Sequence, residues 1–388
     1  MMKKLFRFFA LCTAVFCLTA MNAFADGGKQ IYTFDDQFTS RDLKQEADLT
    51  DAAACVLSDG EDIHITEAGV YVLSGTAQNA TVWIEAGEDD KVQIVLNGVN
   101  VENDDFPVIY AKSVDKVFVT TSADSTLSVT GAFRTDGSVK TDGAIYAKCD
   151  LVLGGTANLA ITSSENGVVG KDDVKITGGV LSIQAVKKAV EANDSIRIAD
   201  GQLTLEAGTD GLHAENADDD TLGYVYIAGG SISIAAGDDG IHGTSVVQID
   251  GGTLEIRAAE GIEGTCVQIN DGVITIQSWD DGINAGQKSS AYRALIEING
   301  GELQVTVSNG DTDGIDSNGD IAVNGGTVIV NGSSTFDYDG SAQYTGGTII
   351  VNGQQVSYIP NSMMGGRGGQ GGQGWQQRDR GGFGRGGW

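Results

Sequence analysis

The chain has 388 residues, with 24 Lys and Arg against 53 Asp and Glu, a net charge of −29, 56 glycines, two prolines and five cysteines. Such acidity argues against a nucleic-acid partner, because phosphate contacts need Lys and Arg. So few and scattered cysteines exclude a disulfide framework. The acid surplus suits a cation-binding surface or simple solubility.

The first 25 residues read as an export signal. Lys3, Lys4 and Arg7 form a positive start, Phe8 to Ala20 an apolar run, and Ala23-Phe24-Ala25 a small-residue cleavage site. Neither Cys12 nor Cys17 follows a small residue, so no lipid anchor is expected. Cleavage leaves 21 basic and 53 acidic residues, a net charge of −32, on a secreted or surface-associated protein. No other apolar run approaches the ~20 residues of a transmembrane helix. Residues 26–60 read as a polar segment with a short helix over Arg41 to Cys55. Strand signals then begin at Gly69 to Gly75, Thr81 to Ile84 and Val92 to Gly98, with alternating apolar and polar residues ending at Gly or Asn.

Further along, one phrase recurs: an acid, a glycine, an aliphatic, then a polar residue. It runs Asp210-Gly211-Leu212-His213, Asp239-Gly240-Ile241-His242, Glu260-Gly261-Ile262-Glu263, Asp281-Gly282-Ile283-Asn284 and Asp313-Gly314-Ile315-Asp316. Between the phrases lie short aliphatic strands joined through glycine pairs, whose second members are Gly155, Gly179, Gly201, Gly230, Gly252, Gly272, Gly301, Gly326 and Gly347. A fixed period of this kind marks a solenoid. The reading is an all-β, single-stranded parallel β-helix of about ten coils over 61–358. Leucine-rich repeats would need an asparagine ladder with regular leucines, and propellers four strands per longer unit. Two insertions, Glu215 to Gly223 and Gln287 to Ala294, both follow the phrase and so emerge on one edge. Cys149 and Cys266 fall in strands as small buried hydrophobes. The tail, 359–388, is Gly-rich with Arg367, Arg378, Arg380, Arg385, Trp375 and Trp388; it cannot bury a core and reads as disordered.

Equivalent positions of adjacent coils lie about 4.8 Å apart, so the phrases stack carboxylates into a ladder. Close carboxylates repel unless protonated or bridged by a cation. Hard oxygen donors from several coils suit Ca²⁺, and the expected ligands are Asp210, Asp238, Asp239, Glu260, Glu263, Asp280, Asp281, Asn284, Asp311, Asp313 and Asp316. The competing reading is Asp-Gly turn chemistry with no metal. His213 and His242 are poor calcium ligands, left as structural or substrate-facing, or as a zinc pair without cysteine support. Sugar binding would use flat rings. Trp279, Tyr224 and Tyr292 beside the ladder are the first choices, with Trp83, Tyr110, Tyr146 and Tyr226 behind them. A lyase would need a basic residue, plausible only at Lys187, Lys188 or Lys288, and these also read as solvated lysines. No acid–base pair for a glycosidase can be nominated.

Gly69-Val70-Tyr71-Val72-Leu73-Ser74-Gly75-Thr76, Lys91 to Val99 and Asp115-Lys116-Val117-Phe118-Val119-Thr120, together with the Asp-Gly-Ile repeats, resemble the exported, calcium-containing carbohydrate-binding β-helix family of bacteria, typified by a clostridial surface protein that binds cellulose and acidic sugars. The resemblance implies a right-handed parallel β-helix, bound calcium and non-catalytic polysaccharide binding; the expected partner is cellulose or a uronate polymer, and the expected state a monomer. That family is similar in shape to calcium-dependent pectate lyases. Their motif of two acids, glycine, any residue and an acid is matched at Asp238-Asp239-Gly240-Ile241 and Asp280-Asp281-Gly282-Ile283. It departs at the last position, which is His242 or Asn284. A calcium-dependent polysaccharide lyase and a structural adhesin are the alternatives.

Overall fold

The structure is a computed structural model that describes residues 30–308, 310 and 312–362. The export signal, Asp311 and the tail beyond 362 lie outside the described residues. Nearly every strand joins one 34-stranded system whose pairs are parallel until the final hairpin. Each strand pairs with its equivalent one repeat later, so the chain winds as coils with three faces.

The first face carries the phrases. Leu212–Ala214, Asp239–Ile249, Glu260–Ile269, Ile283–Ala285, Asp313–Ser317 and Ser334–Tyr338 pair in strict register, aligning His213, His242, Glu263, Asn284, Asp316 and Asp337. The second face continues through Tyr224–Ile227, Leu295–Ile298 and Asp320–Val323, and the third through Ser231–Ala236, Thr253–Ala258, Val273–Ser278 and Glu302–Val307. The phrase aliphatics Leu212, Ile241, Ile262, Ile283 and Ile315 all point inward and are fully buried. They meet Ile227, Ile249 and Ile269 from the second face and Ile234, Ile256 and Ile276 from the third. Each such side chain stabilises the fold by about 1.5–3 kcal/mol.

Two sets of glycines make the winding feasible, for different reasons. The anchor glycines turn the chain between the second and third faces with left-handed backbone, as at Gly230 (φ 98°) and Gly301 (φ 75°), a region that costs other residues strain. The phrase glycines instead permit contact. A Cβ on Gly261 would lie 2.4 Å from the carbonyl oxygen of Gly282 in the next coil and 2.4 Å from Ile276 Cγ2. At Asp239, Glu260 and Asp313 the acid-glycine pair is itself part of the strand, while Asp210-Gly211 and Asp281-Gly282 stand just ahead of theirs. An asparagine ladder also runs through Asn270, Asn299 and Asn324, with amide bonds of 2.8 and 2.9 Å.

The polar segment 26–60 departs from expectation. Arg41 to Cys55 is not a helix: it forms turns and then the strand Ala53–Val56, and the short helix is Phe34–Gln37. From residue 31 to 45 the segment straps the second face, running toward the N-terminal coils. The Tyr32 backbone exchanges two bonds with the Gln248 amide, at 2.7 and 2.9 Å. Asp42, buried, meets Lys175 at 3.1 Å and Lys116 at 3.5 Å, while the Gln45 carbonyl accepts from Gly155 N–H at 2.8 Å. Alternating polarity was absent because these residues cover a face rather than join a sheet. Cys149 and Cys266 are buried as expected.

Substituting Gly261→Ala should cost about 1–3 kcal/mol of unfolding free energy through overpacking, measured by denaturant unfolding. An unchanged midpoint would show that the coils do not approach as closely as described.

Candidate functional site

The outward side of the first face is one continuous column. It runs His64, Trp83, Tyr110, Tyr146, Val169, Glu191, His213, His242, Glu263, Asn284, Asp316, Asp337. Beside it lies the column of phrase acids, in which Lys188 aligns one coil below Asp210. The face is aromatic at its N-terminal end, mixed in the middle and acidic at its C-terminal end.

At the aromatic end Trp83 stacks on Phe106 at 5.0 Å and meets Tyr110 edge-on at 5.0 Å, and Tyr110 meets Tyr146 at 5.8 Å. Lys112 lies 5.7 Å from the Trp83 ring and Arg134 3.9 Å from that of Phe106. Tyr110 and Tyr146 are buried, so this cluster is chiefly packing with Trp83 at its rim.

In the middle, Glu191, Asp210, Asp239 and Glu263 each have a basic partner. Lys171 meets Glu191 at 2.9 Å, with Lys188 at 3.5 Å. His213 contacts Asp210 at 2.8 Å and stacks on His242 at 4.5 Å. His242 Nδ1 lies 2.9 Å from Asp239 and 2.7 Å from Glu263, whose other oxygen is 2.5 Å from Lys288. Burial disfavours charge on His242, but the bonds to Asp239 and Glu263 outweigh it and lift its pKa to about 9. Burial likewise opposes the Glu263 anion, yet His242 and Lys288 hold it at about 2.

Toward the C-terminal end the compensation stops. Burial, then Asp281, Asp313, Asp337 and Asp339, push Asp316 up to about 7. Burial and the Glu263 charge bring Glu260 to about 7, although Asn284 donates to it at 3.1 Å. Asp337 is raised by burial and Asp313. Asp281 accepts from the Asp313 N–H at 2.8 Å, and Asp313 accepts from the Ser334 hydroxyl. These donors are all oxygens from successive coils, a set that fits a hard cation. Of the sequence-derived ligands, the structure gathers Glu260, Asp281, Asn284, Asp313 and Asp316 here. It ties Asp210, Asp239 and Glu263 to histidine or lysine, and leaves Asp238 and Asp280 on exposed turns. Asp337 and Asp339 were missed, because Ser334-Thr335 replaces acid-glycine in that coil. Register with Asp316 was their one available signal.

The two insertions emerge on one edge and touch, as Ser289 donates to the Asp220 carbonyl at 2.6 Å and Ser290 bonds the Asp220 carboxylate. Beneath the first insertion lies a cavity of about 340 Å³ lined by Lys188, Glu191, Asn193, His213, Glu215 and Asn216 among others. Trp279 is 48 % exposed, on the turn entering the strand Ile283–Ala285. Tyr224 is corrected, whereas Tyr292 is half-buried. Tyr224 is buried under the strap, stacked 4.3 Å from Tyr32 and donating to Gln37, and Tyr292 lies 3.4 Å from the Tyr32 hydroxyl. Tyr226 is fully buried in the same cluster. The strap, invisible as a periodic element, takes the surface Tyr224 and Tyr226 were expected to offer. Lys187 is paired to Glu165 at 2.7 Å, away from the acidic cluster.

Comparison with known proteins adds three findings. The family described as "Carbohydrate-binding domain-containing protein" matches residues 59–266 and 258–359. A protein of that same description from Acetivibrio thermocellus is 32 % identical over 129 residues, 32 % of this chain and 45 % of the relative, so the match spans under half the relative's length. A solved structure, the polysaccharide lyase-like protein from C. thermocellum as its gadolinium derivative, is 28 % identical with a TM-score of 0.51, covering 57 % of this chain and 96 % of its own. No helix among the described residues is long and apolar enough to cross a membrane.

The raised carboxyls fix a sign for stability against pH. Folded Asp316 and Glu260 keep protons up to about 7, whereas unfolded they lose them near 3.8 and 4.5. Between about pH 5 and 7 the folded state therefore binds more protons, so cation-free stability should fall as pH rises. The melting temperature in chelator is expected to be lower at pH 7 than at pH 5. A flat or rising profile would contradict the uncompensated cluster.

Proposed function

We propose, from the premise that this chain belongs to the carbohydrate-binding domain family, that it is an exported, non-catalytic, right-handed parallel β-helix of about ten coils that binds polysaccharide with calcium held in its acidic ladder. The observation that carries the reading is the gradient of compensation along one face: neutralised where histidine or lysine meets Asp210, Asp239 and Glu263, and without such a partner at Glu260 and from Asp313 to Asp337. Glu260, Asp281, Asn284, Asp313, Asp316 and Asp337 would hold the cation. When bound, calcium would supply the positive charge that the ladder lacks and that an acidic sugar needs in order to approach it. The gadolinium carried by the structural neighbour, a hard oxygen-seeking ion, is consistent with such sites.

The chain's own groups shape the rest. The first face forms the floor, and the joined insertions wall one edge. Trp279, on the turn at the opposite end of these strands, offers an apolar ring on the other. Sugars bind where flat aromatic faces meet polar groups, and the amides and carboxylates of Asn193, Glu215 and Asn216 line the adjoining cavity. A cellulose or uronate chain laid along this floor would meet both.

Lyase chemistry is favoured by one observation: Lys188 stands in the acid column and lines the cavity with His213. Against it, Lys188 lies 3.5 Å from Glu191, and Lys288, nearer the acidic cluster, is held by Glu263. Titration calorimetry with polygalacturonate and cello-oligosaccharides, with and without calcium and with ultraviolet absorbance of unsaturated uronate followed, tests both readings. Calcium-dependent heat with flat absorbance is expected. Rising absorbance that Lys188→Ala abolishes would make the protein a lyase, and no heat with any polymer would leave a structural adhesin.

A further inference from the structure

Where the histidines give way to pure oxygen donors, three side chains from two successive coils converge. Asp239, His242 and Glu263 each place one donor atom within 4.8 Å of the other two. His242 Nδ1 is 2.9 Å from Asp239 Oδ2 and 2.7 Å from Glu263 Oε2. All three residues are 8 % exposed. A ring nitrogen carries at most one hydrogen and donates well along only one direction. Two carboxylates therefore approach one nitrogen that, as a donor, can satisfy one of them properly. As a lone pair, the same nitrogen completes a set of three ligands around a point between the coils.

The neighbours hold this set in place as outer groups hold metal ligands. Lys288 Nζ sits 2.5 Å from Glu263 Oε1, turning Oε2 toward the histidine. Thr244 Oγ1 is 3.5 Å from His242 Nε2, where it can accept a hydrogen from that nitrogen when Nδ1 turns to a metal. Asp210 Oδ1 accepts from the Asp239 N–H at 3.3 Å, and the His213 ring closes the side toward the preceding coil. One imidazole and two carboxylates are too few and too nitrogenous for calcium, which takes 6–8 oxygens. They match the three-ligand pattern of zinc, whose fourth position is left to water or a ligand oxygen.

The geometry points to a site for one Zn²⁺ or similar transition ion at Asp239, His242 and Glu263, distinct from the oxygen-only cluster of the following coils. This goes beyond the calcium and carbohydrate reading and does not depend on it. The face then carries two kinds of cation site in series, sorted by whether the column residue is histidine or carboxylate.

The test is titration of the full chain, in excess calcium, with Co²⁺ followed by visible absorption and with Zn²⁺ by calorimetry. One ion per chain is expected, with cobalt bands that zinc removes. His242→Gln and Glu263→Gln, each checked for fold by circular dichroism, should weaken binding at least about tenfold, while Asp316→Asn leaves it unchanged. No cobalt bands and no zinc heat in the unsubstituted protein would overturn the site and leave a proton network. So would bands that persist unchanged in either folded variant.

Discussion

Everything in this molecule follows from parallel stacking in strict register. With equivalent residues held about 4.8 Å apart, whatever one coil places on a face the next coil repeats. Inward, this favours folding, since Leu212, Ile241, Ile262, Ile283, Ile315 and Phe336 form an unbroken fully buried row. Outward, the same rule forces like charges together, and the sequence from Asp210 to Asp339 contends with that repulsion coil by coil. The phrase glycines tighten the constraint, because contacts such as Gly261 against the Gly282 carbonyl leave the coils no room to separate.

The ladder resolves its repulsion in two ways. Around Glu191, Asp210, Asp239 and Glu263 it interleaves Lys171, Lys188, His213, His242 and Lys288, so that these acids meet basic groups at 2.5–3.5 Å. Beyond Glu263 the groups that act most on Asp316 are burial and the carboxylates of Asp281, Asp313, Asp337 and Asp339. Asp316 there, and Glu260 in the coil of Glu263, are pushed up to about 7 by burial and neighbouring carboxylates, as close like charges require. Functional sites are where such perturbed groups gather, and here the perturbation has a direction along the fold axis. The strap of residues 31–45 has a complementary role. By covering the second face and tying Asp42 to Lys175 and Lys116, it leaves the first and third faces to meet solvent and ligands.

Much of this was legible in the sequence, because solenoid periodicity carries both fold and site. The acid-glycine-aliphatic-polar phrase located the buried row and the ladder, and the anchor glycines located the turns, all nine with positive φ. The shared edge of the insertions was legible for the same reason. What escaped lacks a period. Asp337 and Asp339 sit where Ser334 and Thr335 interrupt the phrase, so only register reveals them. Tyr224 looked available because nothing in residues 30–45 announces a strap. The split of the ladder into neutralised and unneutralised stretches depends on where long Lys and His side chains reach, which spacing does not encode.

The most direct measurement is anomalous diffraction from crystals of this protein grown with calcium and soaked in a lanthanide. The account predicts peaks among Glu260, Asp281, Asn284, Asp313, Asp316 and Asp337, and none among the aromatic coils around Trp83. Soaked crystals showing no peak in that oxygen cluster would contradict the claim that the ladder is built for a hard cation.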